Sequence, residues 1–268
     1  KTAFVAVIIL STSLLVALVA KVSVVDSTLL FFMTVCAFSI LFILQKKSWK
    51  WSVFFWISFA LGVLTKGPPV IMFTIVLGGV LVLFHPNRRN LISLHPWLFL
   101  PLALLPFTYW CYLTYLKDGG VFLNWMYDWY ILKRINGSVL GQTAPPGTHL
   151  LIIIICFSTY LIAIPNTLFQ TVKHFFVDRK NAMLLGAWFF AGWFIYELSP
   201  SKLPTYVLSA HVPFSLLLAQ QLLKTKKPGR FFTILHFAFQ IALASSFFVL
   251  PSILENDFIN LSCQPLLL

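Results

Sequence analysis

Charged and apolar positions fall in long separate blocks along this chain. Runs free of Asp, Glu, Lys and Arg cover roughly 2–20, 28–44, 51–65, 70–84, 97–116, 149–165, 182–196, 206–223 and 231–254. Within them the apolar residues are continuous, as in "LLIIIICF" at 150–157, so the period-2 alternation of a membrane barrel is missing. About 20 residues of helix cross a hydrocarbon core of roughly 30 Å, and helices then remain as the way to satisfy the backbone in lipid. The pattern predicts an all-α polytopic membrane protein with about nine transmembrane helices. Runs 51–65 and 70–84 hold only about 15 residues each, some 22 Å of helix, which predicts a turn between them recessed below the membrane surface. In the long loop 117–148, the stretch "VFLNWMYDWYILKR" (121–134) has the aromatic, amphipathic character of a helix lying in the interface.

Composition agrees with that pattern. The chain is 59% hydrophobic with 28 Phe and 9 Trp among 268 residues and 10% charged, at a mean hydropathy of +0.90, more than a soluble core can hide. Charge adds an orientation. With loops assigned alternately to two sides, thirteen of the 19 basic residues collect on one side, in segments such as "QKKSWK", "HPNRRN" and "KTKKPGR". The positive-inside rule makes that side cytoplasmic. Of the seven acids only Asp178 falls there. The net charge of +12 therefore reads as topology, with attraction to anionic head groups second, and not as a nucleic-acid surface. Cys36, Cys111 and Cys156 lie in spans and Cys263 in the tail, so no disulfide framework is implied. No repeat or soluble linker divides the chain, and 1–268 is read as one membrane domain. The first residue is Lys, with no initiator Met and no charged region ahead of a cleavage site, which reads as an N-terminally incomplete chain, or as a first span serving as signal anchor.

Against this bias, Lys21, Asp26, Lys66, Lys133, Arg134 and Lys202 all fall on the outer side. Asp26, in "KVSVVDSTLLFF", either caps the helix beginning near Ser27 or, beside Lys21, helps bind or activate a substrate hydroxyl or hold a metal with a partner. Lys66, in "LTKGPPV", is held by Gly67, Pro68 and Pro69 and is better placed for a polar cavity than for lipid. Lys133 and Arg134 end the interfacial stretch ahead of a Gly/Pro-rich segment, suited to a phosphate or to lipid head groups. Lys202, in "SPSKLPTYVL", is presented on a turn stiffened by Pro200 and Pro204 with Tyr206 four residues on, so it serves as a fixed cation for an anion or as an interfacial Lys/Tyr anchor. His149, at the end of the long loop, is read either as a ligand or as an interior histidine. Metal-ligand spacings, Walker loops, Rossmann glycines and nucleophile elbows are absent from the sequence. No cofactor is encoded in the chain itself, and a divalent metal is left open for a longer protein. Fixed cations with one carboxylate at lipid depth suit a substrate that is anionic and membrane-bound, such as a polyprenyl phosphate.

The segments "LTKGPPV", "KRINGSVLGQTAPPGTHLL", "SPSKLPTYVLSAHVP" and "DSTLLFF" resemble the motifs of bacterial membrane glycosyltransferases of the aminoarabinose transferase and protein O-mannosyltransferase type, in the GT-C class. The resemblance implies a fold of many membrane helices in the bacterial inner membrane and a periplasmic site. There a sugar would pass from a polyprenyl-phosphate donor to a lipid A-like lipid, a glycan or a protein. By motif position Asp26 would be an auxiliary acidic residue, and Lys66, Arg134, Lys202 and Tyr206 would line the site. Lys133 and His149 join them as candidates for substrate binding. The family's earlier outer loop with its catalytic acid has no match here, so a donor site without its base, and little turnover, is the expectation. Partners are membrane lipids, the sugar donor and a lipid or protein acceptor, with no nucleic acid. The rival reading, a transporter or flippase of an anionic lipid-linked substrate, would place its charges near mid-membrane instead of on one face.

Overall fold

The computed structural model describes residues 1–22, 24–133, 143–177, 182–224, 230–231, 233–242 and 244–245. Helices dominate: α1 Thr2–Ser11, α2 Leu14–Lys21, α3 Asp26–Gln45, α4 Trp49–Lys66, α5 Pro68–Phe84, α6 Pro96–Asp118, α7 Val121–Tyr127, α8 Thr148–Cys156, α9 Ile164–Val177, α10 Ala182–Leu198, α11 Leu208–Lys224 and α12 Thr233–Ala242. Short 3-10 segments precede α6 and α11, and among the described residues the β pairing is one isolated bridge, Thr143 with Ser201. The chain is an all-α polytopic membrane protein.

Several expected spans are not single straight helices. Residues 2–20 form α1 and α2, bent by 63°. The polar triplet Ser11–Thr12–Ser13 causes the break: Ser11 Oγ donates to the Val7 carbonyl at 2.8 Å and Thr12 Oγ1 to that of Ile8 at 2.8 Å, competing with the backbone ladder. Residues 149–165 divide more sharply. α8 ends at Cys156, tight turns carry the chain through Ser158–Tyr160, and helix resumes at Ile164, where Pro165 lacks the N–H that a continuous helix would need and fits the first turn of a new one. Among the described residues α3, α6 and the 204–224 segment are each long and apolar enough to cross a membrane, and the bent pair makes a fourth. The remaining apolar helices are shorter or carry charged ends.

The helices flanking Lys66 are longer than the uncharged runs suggest. α4 runs from Trp49 through Lys66 and α5 from Pro68 through Phe84, because a lysine at a helix end extends its stem and does not stop the helix. What stops α4 is Gly67, at φ 73° and ψ −108°, a conformation that side chains resist, followed by Pro68 and Pro69 in the first turn of α5.

Two apolar cores hold the helices together. One joins α3, α4, α5 and α10 around Phe73, Leu77, Leu81 and Trp188. The other joins α1, α8, α10 and α11 around Ile9, Ile153, Phe157 and Phe214. Leu30, on α3, packs against both. In lipid, apolar surface alone does not drive helices together, and close approach of small residues matters more. The α10–α11 crossing shows this, with Ala187, Ala191 and Ala210 fully buried and Gly192 lying against Ser209 and Ala210. At the far end of α3, roughly 27 Å from Asp26, the side-chain amides of Asn87 and Asn90 donate to the Leu44 carbonyl at 3.1 and 3.0 Å. The "HPNRRN" loop thereby closes the end opposite Asp26. Helix α6 is almost wholly uncovered, with only Ala103 buried, and α7 buries no residue against the chain. Gly119 and Gly120, both left-handed, turn between them, and the Asp118 carboxylate accepts from the Gly120 and Phe122 amides at 2.9 and 2.8 Å.

Candidate functional site

The junction of the two cores opens into a small cleft between α3, the α4–α5 turn, α10 and the start of α11. Asp26, Lys66, Tyr196, Thr205, Tyr206 and Ser209 supply its polar wall. Leu29, Leu30, Met33 and Leu208 make the rest apolar. Asp26 comes from the first residue of α3, Lys66 from the last of α4, and Tyr206 from the 3-10 turn Pro204–Val207 that follows the "SPSKLP" segment.

At its centre Lys66 Nζ lies 2.5 Å from Asp26 Oδ1. Both side chains are partly shielded, at 22% and 12% exposed, so the pair is screened less than a surface ion pair. The α3 N-terminus carries no side-chain cap; the Asp26 carboxylate turns to Lys66 instead. The Lys66 ammonium also faces the Tyr206 ring, 5.9 Å from its centroid, at the limit of a cation–π contact. Tyr196 packs beside Tyr206, their centroids 5.3 Å apart. A cation, a carboxylate and two phenols thus share one hollow.

The other expected residues are placed differently. Lys202 is buried, and its ammonium, expected to face a substrate anion, donates to the Tyr196 carbonyl at 3.2 Å, to the Glu197 carbonyl at 2.5 Å and to Glu197 Oε1 at 3.2 Å. Those three acceptors take up the donors of one ammonium. His149 is also buried and sits behind the cleft wall, Nε2 3.1 Å from the Leu203 carbonyl and the ring 6.3 Å from that of Tyr206. Lys133 pairs with Asp128 at 3.3 Å and covers the Trp129 ring at 4.8 Å, contacts within its own exposed segment. Arg134 lies outside the described residues. The structure therefore joins Asp26, Lys66 and Tyr206, sets Lys202 and His149 behind them, and keeps Lys133 with its local partners.

Glu197 is the residue that sequence reading passed over. It lies five positions before Lys202 at the end of an apolar run, and an acid at that depth calls for a partner; that signal was legible. Among the described residues no group of three or more His, Cys, Asp and Glu side chains is arranged to hold a metal ion.

Residues 1–112 match the family model described as dolichyl-phosphate-mannose-protein mannosyltransferase. Among solved structures, ArnT from Cupriavidus metallidurans bound to undecaprenyl phosphate superposes with a TM-score of 0.72 at 20% identity, over 84% of this chain and 41% of that one. The apo state of the same protein gives 0.66 at 19% identity, over 83% and 41%. No curated protein matches. The chain spans about two fifths of the length of the ArnT chains it matches. Over most of its length this chain has the fold of ArnT, and its first 112 residues carry the pattern of the dolichyl-phosphate-mannose-protein mannosyltransferase family.

Proposed function

We propose that the protein transfers a sugar from a polyprenyl-phosphate donor to a lipid A-like lipid, glycan or protein acceptor at the periplasmic face of a bacterial inner membrane, and that the cleft around Lys66 receives the donor phosphate. The observation that carries this reading is the convergence of Lys66, Asp26 and Tyr206, from three separate segments, in one hollow with an apolar flank. Such a hollow suits a ligand that is anionic at one end and hydrocarbon at the other. The family match of residues 1–112 and the ArnT fold, seen there with undecaprenyl phosphate, support the same class of donor.

In the proposed reaction an acceptor oxygen attacks the anomeric carbon. The bond from that carbon to the phosphate oxygen breaks, and polyprenyl phosphate leaves with the bonding electrons. The Lys66 ammonium, with Arg134 as a second cation, stabilises the negative charge on the leaving phosphate. Asp26 is released from Lys66 as the phosphate takes its place, and it then orients the acceptor; the acceptor proton passes to the catalytic carboxylate that the family resemblance places on an outer loop without a match in this sequence. The full-length protein, purified and given a synthetic polyprenyl-phosphate sugar and acceptor lipid, should transfer sugar, and Arg134→Ala in it should slow transfer by about 10–100-fold if the guanidinium holds the phosphate. Transfer at the wild-type rate in that variant removes Arg134 from the site, and no transfer by the wild type counts against the reading as a whole.

A further inference from the structure

Glu197 gathers more polar contacts than any role in bulk packing requires. Its Oε1 accepts from the Gly147 amide at 2.7 Å and from Lys202 Nζ at 3.2 Å, and its Oε2 accepts from the Leu150 amide at 3.2 Å and the Trp193 indole N–H at 2.7 Å. The carboxylate thus sits at the N-terminus of α8, where free amides and the helix dipole favour an anion, yet it is supplied from α10. Lys202 completes the junction by binding two carbonyls of α10 from the turn that follows it. Two further contacts tie the same segments: the bridge between Thr143 and Ser201, and His149 against the Leu203 carbonyl. Glu197 and Lys202 are 9% and 8% exposed. An ion pair that deep is a poor source of net stability, because desolvation offsets most of the attraction, and apolar replacements often hold a fold as well. What it supplies is a fixed geometry, and the residues it fixes lead directly into Pro204–Val207, which carries Tyr206 to the Lys66 ammonium.

We infer that the Glu197–Lys202 pair is a positioning clamp, which locks the 199–204 turn to the start of α8 and thereby sets Tyr206 against Lys66 in the cleft. This assigns Lys202 an internal partner instead of the substrate phosphate, and it rests on the reading of the cleft as the donor site. A double-mutant cycle separates the two roles. Glu197→Ala and Lys202→Ala should each raise the KM for the polyprenyl-phosphate sugar by about ten-fold, with a smaller change in kcat, and the double variant should be no worse than either single one, because both remove the same junction. If Lys202 gripped the donor phosphate itself, Lys202→Ala would raise KM while Glu197→Ala, which frees the ammonium, would not; that result, or additive effects, overturns the inference. Amide exchange of the 147–150 segment provides a readout that needs no donor. It should quicken about ten-fold or more in Glu197→Ala, which removes the acceptors of the Gly147 and Leu150 amides, measurably but less in Lys202→Ala, and no further in the double variant than in Glu197→Ala. Unchanged exchange overturns the clamp. Should the wild type fail to bind the donor, the functional reading falls, and the exchange measurement alone decides the clamp.

Discussion

Replacing Lys66 by alanine is expected to lower sugar transfer by about 10²–10³-fold, the range found when a single group stabilising charge in a transition state is removed. The ammonium lies 2.5 Å from Asp26 and 5.9 Å from the Tyr206 ring centroid, and it is the cation that the described structure brings to the cleft wall. Its loss also leaves the Asp26 carboxylate, 12% exposed, without its partner, which should destabilise the protein by about 1–3 kcal/mol. A second variant separates the two effects. In Asp26→Asn/Lys66→Met neither charge is orphaned, so stability should recover by most of that amount while transfer stays lost. Initial rates normalised to the amount of membrane-inserted protein, together with thermal unfolding in detergent, make the comparison. A double variant that transfers at the wild-type rate would reduce the pair to a structural tie.

The largest purely structural effect is expected at Gly192. A Cβ built there lies 2.7 Å from the Ala210 nitrogen, 2.8 Å from Ser209 Oγ and 3.0 Å from the Ala210 Cα. Two of these are backbone atoms, which cannot rotate away, so Gly192→Ala must push α10 from α11. Overpacking of this kind costs about 1–3 kcal/mol, or roughly 2–10 °C in Tm for a chain of this size. Because Ser209 lines the cleft, the displacement should reach the site and slow transfer as well. Gly79, also within a helix, has nothing within 4 Å of its built Cβ, and Gly79→Ala should be neutral or slightly stabilising. An equal loss of Tm in both variants would refute the close-contact explanation.

The sequence made the helical class and the positions of α3 and α6 legible, since runs 28–44 and 97–116 became Asp26–Gln45 and Pro96–Asp118. It did not show which faces meet lipid. Hydropathy separates apolar from polar groups, but a helix facing lipid and a helix facing protein are equally apolar: α6, nearly bare, and α10, largely buried, read alike. The break at Ser11–Ser13 escaped for a related reason, as serine and threonine barely lower a hydropathy average while their hydroxyls compete for backbone carbonyls, and the break at Phe157–Ala163 rests on Pro165, which a hydropathy run passes over. Of the candidate site, the alternation of loops assigns Asp26 and Lys66 to the same expected side, and Tyr206 enters through its place in the "SPSKLPTYVL" segment. That Asp26 and Lys66 pair across 40 positions depends on how α3 and α4 pack. Lys202 reads in the sequence as a fixed cation on a stiff turn, suited to an anion or to an interfacial anchor, whereas in the structure its ammonium meets the Glu197 carboxylate five residues back. The turn at Pro200 puts Glu197 and Lys202 side by side, which a linear reading of spans and loops treats as two separate places.

The most direct test of the account is an experimental structure of the protein with undecaprenyl phosphate. A phosphate oxygen is expected within about 3 Å of the Lys66 ammonium, with Asp26 displaced from that nitrogen, the first prenyl units along Leu29, Leu30 and Met33, and the Glu197–Lys202 pair unchanged. A head group lodged elsewhere with the Asp26–Lys66 pair intact, or phosphate bound by Lys202 in place of Glu197, would contradict it.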